Sequence, residues 1–324
     1  MNRRIHSIAF AIAALALAPV ASQAQGAFPD KPITFVVPFA AGTATDQIAR
    51  ALGNGITAES KQAVVIDNKA GASGFIASQF VAKAAPDGYT VLITTNTTHA
   101  ANEHLYKKLP YDPVKDFSPV AALGKGGQIM VVNPSFPAKT VAEFVALAKK
   151  EPGKYSFGSG SSSSRMAGEL LQQMADIQLL HVPYKSNTLA VTDLLGGQIH
   201  MMITDTATGL PQIKAGKLRA LGASGAARSP LAPDVPTIAE AGVKGYEMGY
   251  WFAAYAPAKT PPAVVKRLNE LLVKAAKSEA AKAAFYDPTG TEVFTSSPEE
   301  LAKFQAGESQ KWGRIVKAAG ITAE

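Results

Sequence analysis

One unit recurs along this chain and leaves few folds open to it: a short apolar run of β type, a loop of small residues, then a helix pattern. Ile33–Val37 is followed by Pro38, by a loop over 39–46, and by Ile48, Leu52 and Ile56 on one helical face. Residues 64–66 begin the unit again, with small residues over 68–74 and a helix whose apolar face is expected at Ile76, Phe80 and Ala84. A strand over 89–94 opens into a third loop, 94–99, with Asn96 among hydroxyls. Strands at 179–182 and 199–203 lead into loops at 183–187 and 204–206. Strand and helix patterns alternating in this way predict an α/β protein with parallel or mixed sheets, which bind ligands at the C-terminal ends of their strands.

The central copy, 155–169, reads Tyr-Ser-Phe-Gly-Ser-Gly-Ser-Ser-Ser-Ser-Arg-Met-Ala-Gly-Glu. Small residues over 158–164 precede a helix pattern in which Met166, Leu170 and Met174 recur at i, i+4, i+8. A helix start carries unpaired N–H donors and positive partial charge, and small side chains let an anion come close to them. Arg165 in the first turn opposes the helix dipole by roughly 0.3–1 kcal/mol, a conflict that a carboxylate ligand would remove. The alternative is a serine-capped connection with Arg165 paired to Glu169 at i+4. Asp46 and Thr45 have a comparable second reading as caps of the first helix.

Positive Arg3 and Arg4, an apolar run over 8–17 and small residues up to Ala24 form the pattern of a secretory signal cut after Ala24. The remaining chain is expected to be soluble and exported, and with no cysteine it must rely on core burial. Removing Arg3 and Arg4 leaves 30 basic against 25 acidic residues, without the clustered cations and interleaved aromatics of a nucleic-acid surface. His99, His104, His181 and His200 lack zinc spacing, so no metal or other cofactor is expected. Gly71-Ala72-Ser73-Gly74 and Gly222-Ala223-Ser224-Gly225 miss the nucleophile-elbow register, which argues against an exported hydrolase. Strands at 120–123 and 129–132 flank Gly124-Lys125-Gly126-Gly127, which reads as a hinge. Capping boxes are expected at Thr140/Glu143 and Ser297/Glu300.

Several segments in order give the chain a family resemblance: Lys31-Pro32-Ile33-Thr34-Phe35-Val36-Val37-Pro38-Phe39, Asp46 with Ala49-Arg50, 68–74, Pro86-Asp87-Gly88-Tyr89-Thr90, His181-Val182-Pro183-Tyr184-Lys185, Gly196-Gly197-Gln198, Pro233-Asp234-Val235-Pro236-Thr237 and Ala239-Glu240-Ala241-Gly242. In these it resembles the Bug-type substrate-binding proteins of tripartite tricarboxylate transporters. That resemblance implies a two-lobed, type II-like periplasmic binding protein, each lobe a mixed sheet flanked by helices, with the ligand in the cleft between them. It places lobe 1 at 25–126 and 250–324 and lobe 2 at 127–249. It further implies a receptor, not an enzyme, that captures a small mono- or dicarboxylate, an aromatic one such as terephthalate included. The expected partners are the membrane subunits of a secondary transporter, with a membrane sensor as the alternative, and the receptor itself is expected to be a monomer.

Carried over residue by residue, the resemblance places the ligand against Phe39, Gly42, Thr43, Thr45 and Asp46 of the first loop. From lobe 2 it adds Ser159, Ser162, Ser163, Ser164, Arg165, Ser186 and Asp205. Asn96 joins them from the third strand-end loop. Ala41-Gly42-Thr43 stands where the family usually has a double glycine, Arg165 where relatives commonly have histidine, and Ser186 where glycine is usual after Tyr-Lys.

Overall fold

The computed structural model describes residues 28–318 and 320–323; the export signal expected over 1–24 lies outside them. One sheet of nine strands runs through the molecule. In its first half, β1 (Ile33–Val37) lies parallel between β2 (Val64–Asn68) and β3 (Thr90–Thr95). β4 (Phe117–Val132) belongs to both halves. Its partners in the second half are β7 (Met201–Asp205) and β8 (Arg219–Ala223), both antiparallel, and beyond β7 lie β5 (Ser156–Ser159) and β6 (Leu180–Pro183). β9 (Gly249–Pro257) runs antiparallel between β3 and β4.

β4 is the element that joins the halves. It pairs with β9 from Phe117↔Pro257 to Gly127↔Gly249 and with β7 from Gln128↔Asp205 onward. The two strands expected at 120–123 and 129–132 are therefore one strand of 16 residues, with Gly124, Gly126 and Gly127 inside it. Close packing explains a glycine there: a Cβ on Gly126 would lie 2.5 Å from the Tyr250 hydroxyl across the ladder.

The core follows from the pleat. Ile33, Phe35 and Val37 point to one face, where they meet Ile48, Leu52 and Ile56 of α1 (Ala44–Ser60) and Leu268, Leu271 and Leu272 of α8 (Pro262–Ala276), while Val36 joins Ala77, Val81 and Leu92 on the other. Burial on both faces is what a parallel strand in an α/β sheet requires, and each fully buried aliphatic contributes about 1.5–3 kcal/mol. The capping box at Ser297 and Glu300 forms in both directions, at 3.1 and 2.8 Å.

Two expectations for the first half need correction. α2 (Phe75–Ala82) buries Ala77, Ser78 and Val81 and leaves Ile76 50% and Phe80 47% exposed, so its inward face is not the one the spacing indicated. Ser73 and Gly74 both have positive φ before the helix, which sets its rotation, and the small side chains bring it against β3 and β9. Lys69 covers Phe80 from 4.3 Å. Residues 94–99 form no loop: β3 runs to Thr95, and Asn96 leads into a wide turn over Thr97–Ala101 and then α3 (Asn102–Leu105), all closely buried at the turn. Among the described residues no helix is long and apolar enough to cross a membrane.

Candidate functional site

The loop before α1 is tied down by Asp46. Gly42, at φ 81°, donates its N–H to Asp46 Oδ2 at 2.9 Å. Arg50 donates Nε to Oδ2 at 3.0 Å and Nη2 to Oδ1 at 2.9 Å, and Asn68 Nδ2 reaches both Oδ1 and the Phe39 carbonyl at 3.0 Å. Burial raises the Asp46 pKa, but the bonds from Arg50, Gly42 and Asn68 outweigh it and hold the carboxyl below its ordinary value. Asp46 thus shapes the loop, its oxygens occupied. α1 has no side-chain cap: the Thr43 hydroxyl donates to the Ala40 carbonyl at 2.8 Å instead. By helix geometry its first N–H groups are left without intrahelical acceptors.

α4 (Val141–Lys150) carries the chain across to β5, and after it α5 (Ser162–Ala175) starts differently from α1. Its cap is Ser161, whose Oγ accepts from the Ser164 N–H at 3.2 Å. Gly160 donates to Asn187 Oδ1 at 2.9 Å, at the start of α6 (Asn187–Leu195). Asn187 donates in turn to Asp205 Oδ2 at 2.9 Å. Asp205 Oδ1 caps α7 (Thr206–Lys214), accepting from the Thr208 N–H at 2.9 Å and its hydroxyl at 2.7 Å. The approach of these starts demands glycine at 160, where a Cβ would fall 1.8 Å from the Ser186 carbonyl carbon. Ser162 donates across to Asn102 Oδ1 at 2.9 Å, joining the two halves of the molecule directly.

The two starts face one another across a cavity of about 40 Å³. Phe39, Thr43, Ala44 and Thr45 line it on one side, Gly160, Ser161, Ser163, Asn187 and Asp205 on the other, and Thr95, Gln128, Tyr250 and Phe252 from the sheet. Phe39, Gly160 and Ser161 also line an adjoining compartment of about 370 Å³ with Ser159, Ser162, Arg165, Tyr184 and Lys185. There Ser159 Oγ lies 2.7 Å from His181 Nε2, and Arg165 Nε lies 3.8 Å from Glu169 Oε1. Burial raises the Glu169 pKa against the opposing pull of Arg165.

Of the residues singled out in the sequence, Phe39, Thr43, Thr45, Ser163 and Asp205 line the smaller cavity, and Ser159, Ser162 and Arg165 the larger compartment. The others line neither. Gly42 and Asp46 are turned onto each other; Ser164 donates to the Ile203 carbonyl at 2.5 Å; Ser186 caps α6 by accepting from Leu189; and Asn96 is fully buried with Nδ2 on the Gly249 carbonyl at 3.4 Å. Gly42, Asp46, Ser164 and Ser186 build walls, since their polar groups are answered within the same structure, whereas Asn96 keeps an unpartnered Oδ1 behind the sheet-end turn. Arg165 adjoins Glu169, the alternative its spacing had left open.

Thr95, Gln128, Tyr250 and Phe252 escaped the sequence reading because they sit in strands. The period-2 spacing of Tyr250 and Phe252, and one polar residue in the run 128–132, were the available signals. A wider cavity of about 840 Å³ lies along the same β4–β9 ladder and shares Gln128 and Tyr250 with the small one.

Comparison with known proteins agrees with this architecture. The model of the tripartite tricarboxylate transporter family receptor matches residues 48–321. BugT of Bordetella pertussis is 33% identical over 324 residues, covering 99% of this chain and 98% of that protein. The structure of R. palustris Rpa4515 with adipate has a TM-score of 0.89 and 34% identity, covering 92% of this chain and 100% of that one. MatC (Rpa3494) from Rhodopseudomonas palustris with bound malate has a TM-score of 0.85 and 31% identity, covering 89% and 100%. The chain belongs to the tripartite tricarboxylate transporter receptor family.

Proposed function

We propose that this member of the receptor family holds a small carboxylate between the start of α1 and the start of α5, and delivers it in the periplasm to the membrane subunits of a tripartite transporter. The observation that carries the reading is the convergence of an uncapped helix start, α1, with hydroxyls of both halves on one small cavity. An anion there meets backbone N–H groups and hydroxyl donors at the positive end of a helix. Asp205 is a negative group in the same wall, but its oxygens are turned onto α7 and Asn187. Adipate and malate in the two similar structures support the carboxylate class.

Residues 25–126 and 250–324 then form one lobe and 127–249 the other, hinged where the chain crosses at 126–128 and 249–250. The compartment at Arg165 gives a longer ligand room beyond the carboxylate held at α1. That accommodates an extended dicarboxylate, terephthalate among them, as well as a short one.

A thermal-shift panel tests this. A ligand bound only by the folded form at one hundred times Kd adds about 2.7 kcal/mol of stability. Carboxylates should raise the melting temperature while amines and sugars leave it unmoved; the reverse pattern would overturn the ligand class. Transporter delivery is tested by uptake of the best ligand in cells with and without this receptor.

A further inference from the structure

Gln128 occupies the position at which β4 leaves β9 and takes up β7, the last pair on one side being Gly127↔Gly249 and the first on the other Gln128↔Asp205. Its backbone is fixed from both directions by one residue: the Gln128 N–H donates to Ser224 Oγ at 2.6 Å, and the Ser224 N–H donates to the Gln128 carbonyl at 2.8 Å. Ser224 Oγ donates in turn to the Met248 carbonyl at 2.6 Å, so the crossing is clamped. The side chain, 2% exposed, lines the small cavity, and its Oε1 has no hydrogen-bond partner.

A buried amide oxygen without a partner is unfavourable, and a folded protein tolerates it chiefly where something else completes the bond. An ionised carboxylate cannot do so, because it only accepts. The group that satisfies Oε1 must therefore be a donor, a water or a donor elsewhere on the ligand, and a ligand donor that reaches Gln128 within the small cavity lies close to the acid group held at α1. A cation as that donor would lean on the negative Asp205, whose Oδ1 already accepts two bonds from Thr208 and whose Oδ2 accepts one from Asn187. A neutral hydroxyl needs no counter-charge.

We propose that Gln128 is a specificity-determining residue that accepts a hydrogen bond from a hydroxyl on the carbon next to the ligand's carboxylate, so that the site prefers 2-hydroxy acids to their deoxy counterparts. This rests on the carboxylate reading above and names the class within it. A site built to bond a hydroxyl discriminates against the analogue that lacks it, because the protein group is then left unmatched.

Titration calorimetry on matched pairs, malate against succinate and lactate against propionate, tests it in the full-length mature protein. The hydroxy acid of at least one pair should bind about tenfold or more tightly, equivalent to about 1.4 kcal/mol. In Gln128→Leu, which removes the acceptor at similar volume, that ratio should fall to within threefold through loss of the hydroxy acid's advantage, the deoxy acid binding nearly as before. A melting temperature close to the parent's certifies the variant; if leucine unfolds the protein, Gln128→Met serves in its place.

Carboxylates that bind the parent without a hydroxyl preference would overturn the inference and leave the carboxylate reading standing. A preference that survives in the variant would remove Gln128 from it. Equal losses for both acids would show that the amide is turned over, donating through Nε2 to the carboxylate, and would overturn it as well. Binding of no carboxylate at all brings down both readings.

Discussion

The two helix starts that meet in the cleft are built to opposite plans. α1 has an acid in its first turn, clamped by Arg50, Asn68 and the Gly42 N–H, and no side-chain cap. α5 has a serine cap and a cation in its first turn beside Glu169. An uncapped start offers its donors to whatever enters the cavity; a capped one has used a donor on itself and serves to shape the wall. On the carboxylate reading proposed above, the ligand's charge is read mainly by the first half of the molecule, although the only charge in the first turn of α1 is negative. Asp46 can be negative there because four hydrogen bonds turn its carboxylate onto the loop.

Making α1 resemble α5 should have the largest effect. Thr43 has the extended conformation of a cap residue, φ −73° and ψ 161°, and lines the cavity. Thr43→Asp should cap α1, leaving the unliganded melting temperature equal or higher by the equivalent of about 0.5–1 kcal/mol. The added carboxylate would occupy the place of the ligand's own, and affinity should fall on the order of 100-fold, about 2.7 kcal/mol. Calorimetry and a melt on the same sample read the two opposite signs; a variant that binds as the parent does would show that the ligand's charge lies elsewhere.

Next in size is release of the α1 loop. Asp46→Ala removes the acceptor shared by Gly42, Arg50 and Asn68 and should cost about 1–3 kcal/mol of stability, below the range for a fully buried pair because Arg50 is half exposed. Binding should weaken with it, since the loop positions Thr43 and Thr45. Because the folded Asp46 pKa is depressed, its contribution is complete above the unfolded carboxylate value near 3.9 and is lost as pH falls through the folded one. Denaturant melts from pH 5 down to pH 2 should therefore show a shallower acid limb in Asp46→Ala than in the parent.

Arg165→Ala should then separate ligands by length. A short carboxylate held at α1 should bind within threefold of the parent, while a dicarboxylate as long as adipate should lose about tenfold, as its distal acid loses a charge-assisted bond. A uniform loss across lengths would move the ligand's primary charge to the α5 side. The smallest effect is expected from Ser161→Ala, which uncaps α5 at a cost of about 1 kcal/mol in a denaturant melt. Its affinity should change less than that of Thr43→Asp; a greater change would erase the distinction between the two starts.

The sequence by itself determined the alternation of strands and helices, and hence the α/β class, because buried parallel strands and amphipathic helices leave periodic apolar patterns: Ile48, Leu52 and Ile56 of α1 are all fully buried as their spacing requires. It also marked the small-residue stretches at strand ends, which fold into a loop and two helix starts and bring Thr43, Thr45 and Ser163 to the cavity. Only the tertiary structure decided which polar groups in those loops are satisfied internally. Asp46, Ser164 and Ser186 have the composition of site residues; Asp46 and Ser186 close local bonds with Arg50 and Leu189, while Asn68 on Asp46 and the Ile203 carbonyl on Ser164 are pairings that depend on how elements pack. The same holds for β4, whose glycines suggest a break until Tyr250 is seen filling the space a Cβ would need. Gln128 shows the limit most sharply, since a single polar residue in an apolar run acquires meaning only when the sheet brings α1, α5 and Asp205 around it. Local patterns record burial and helix ends; hydrogen-bond complementarity is a property of three-dimensional neighbours, and it is what separates wall from site.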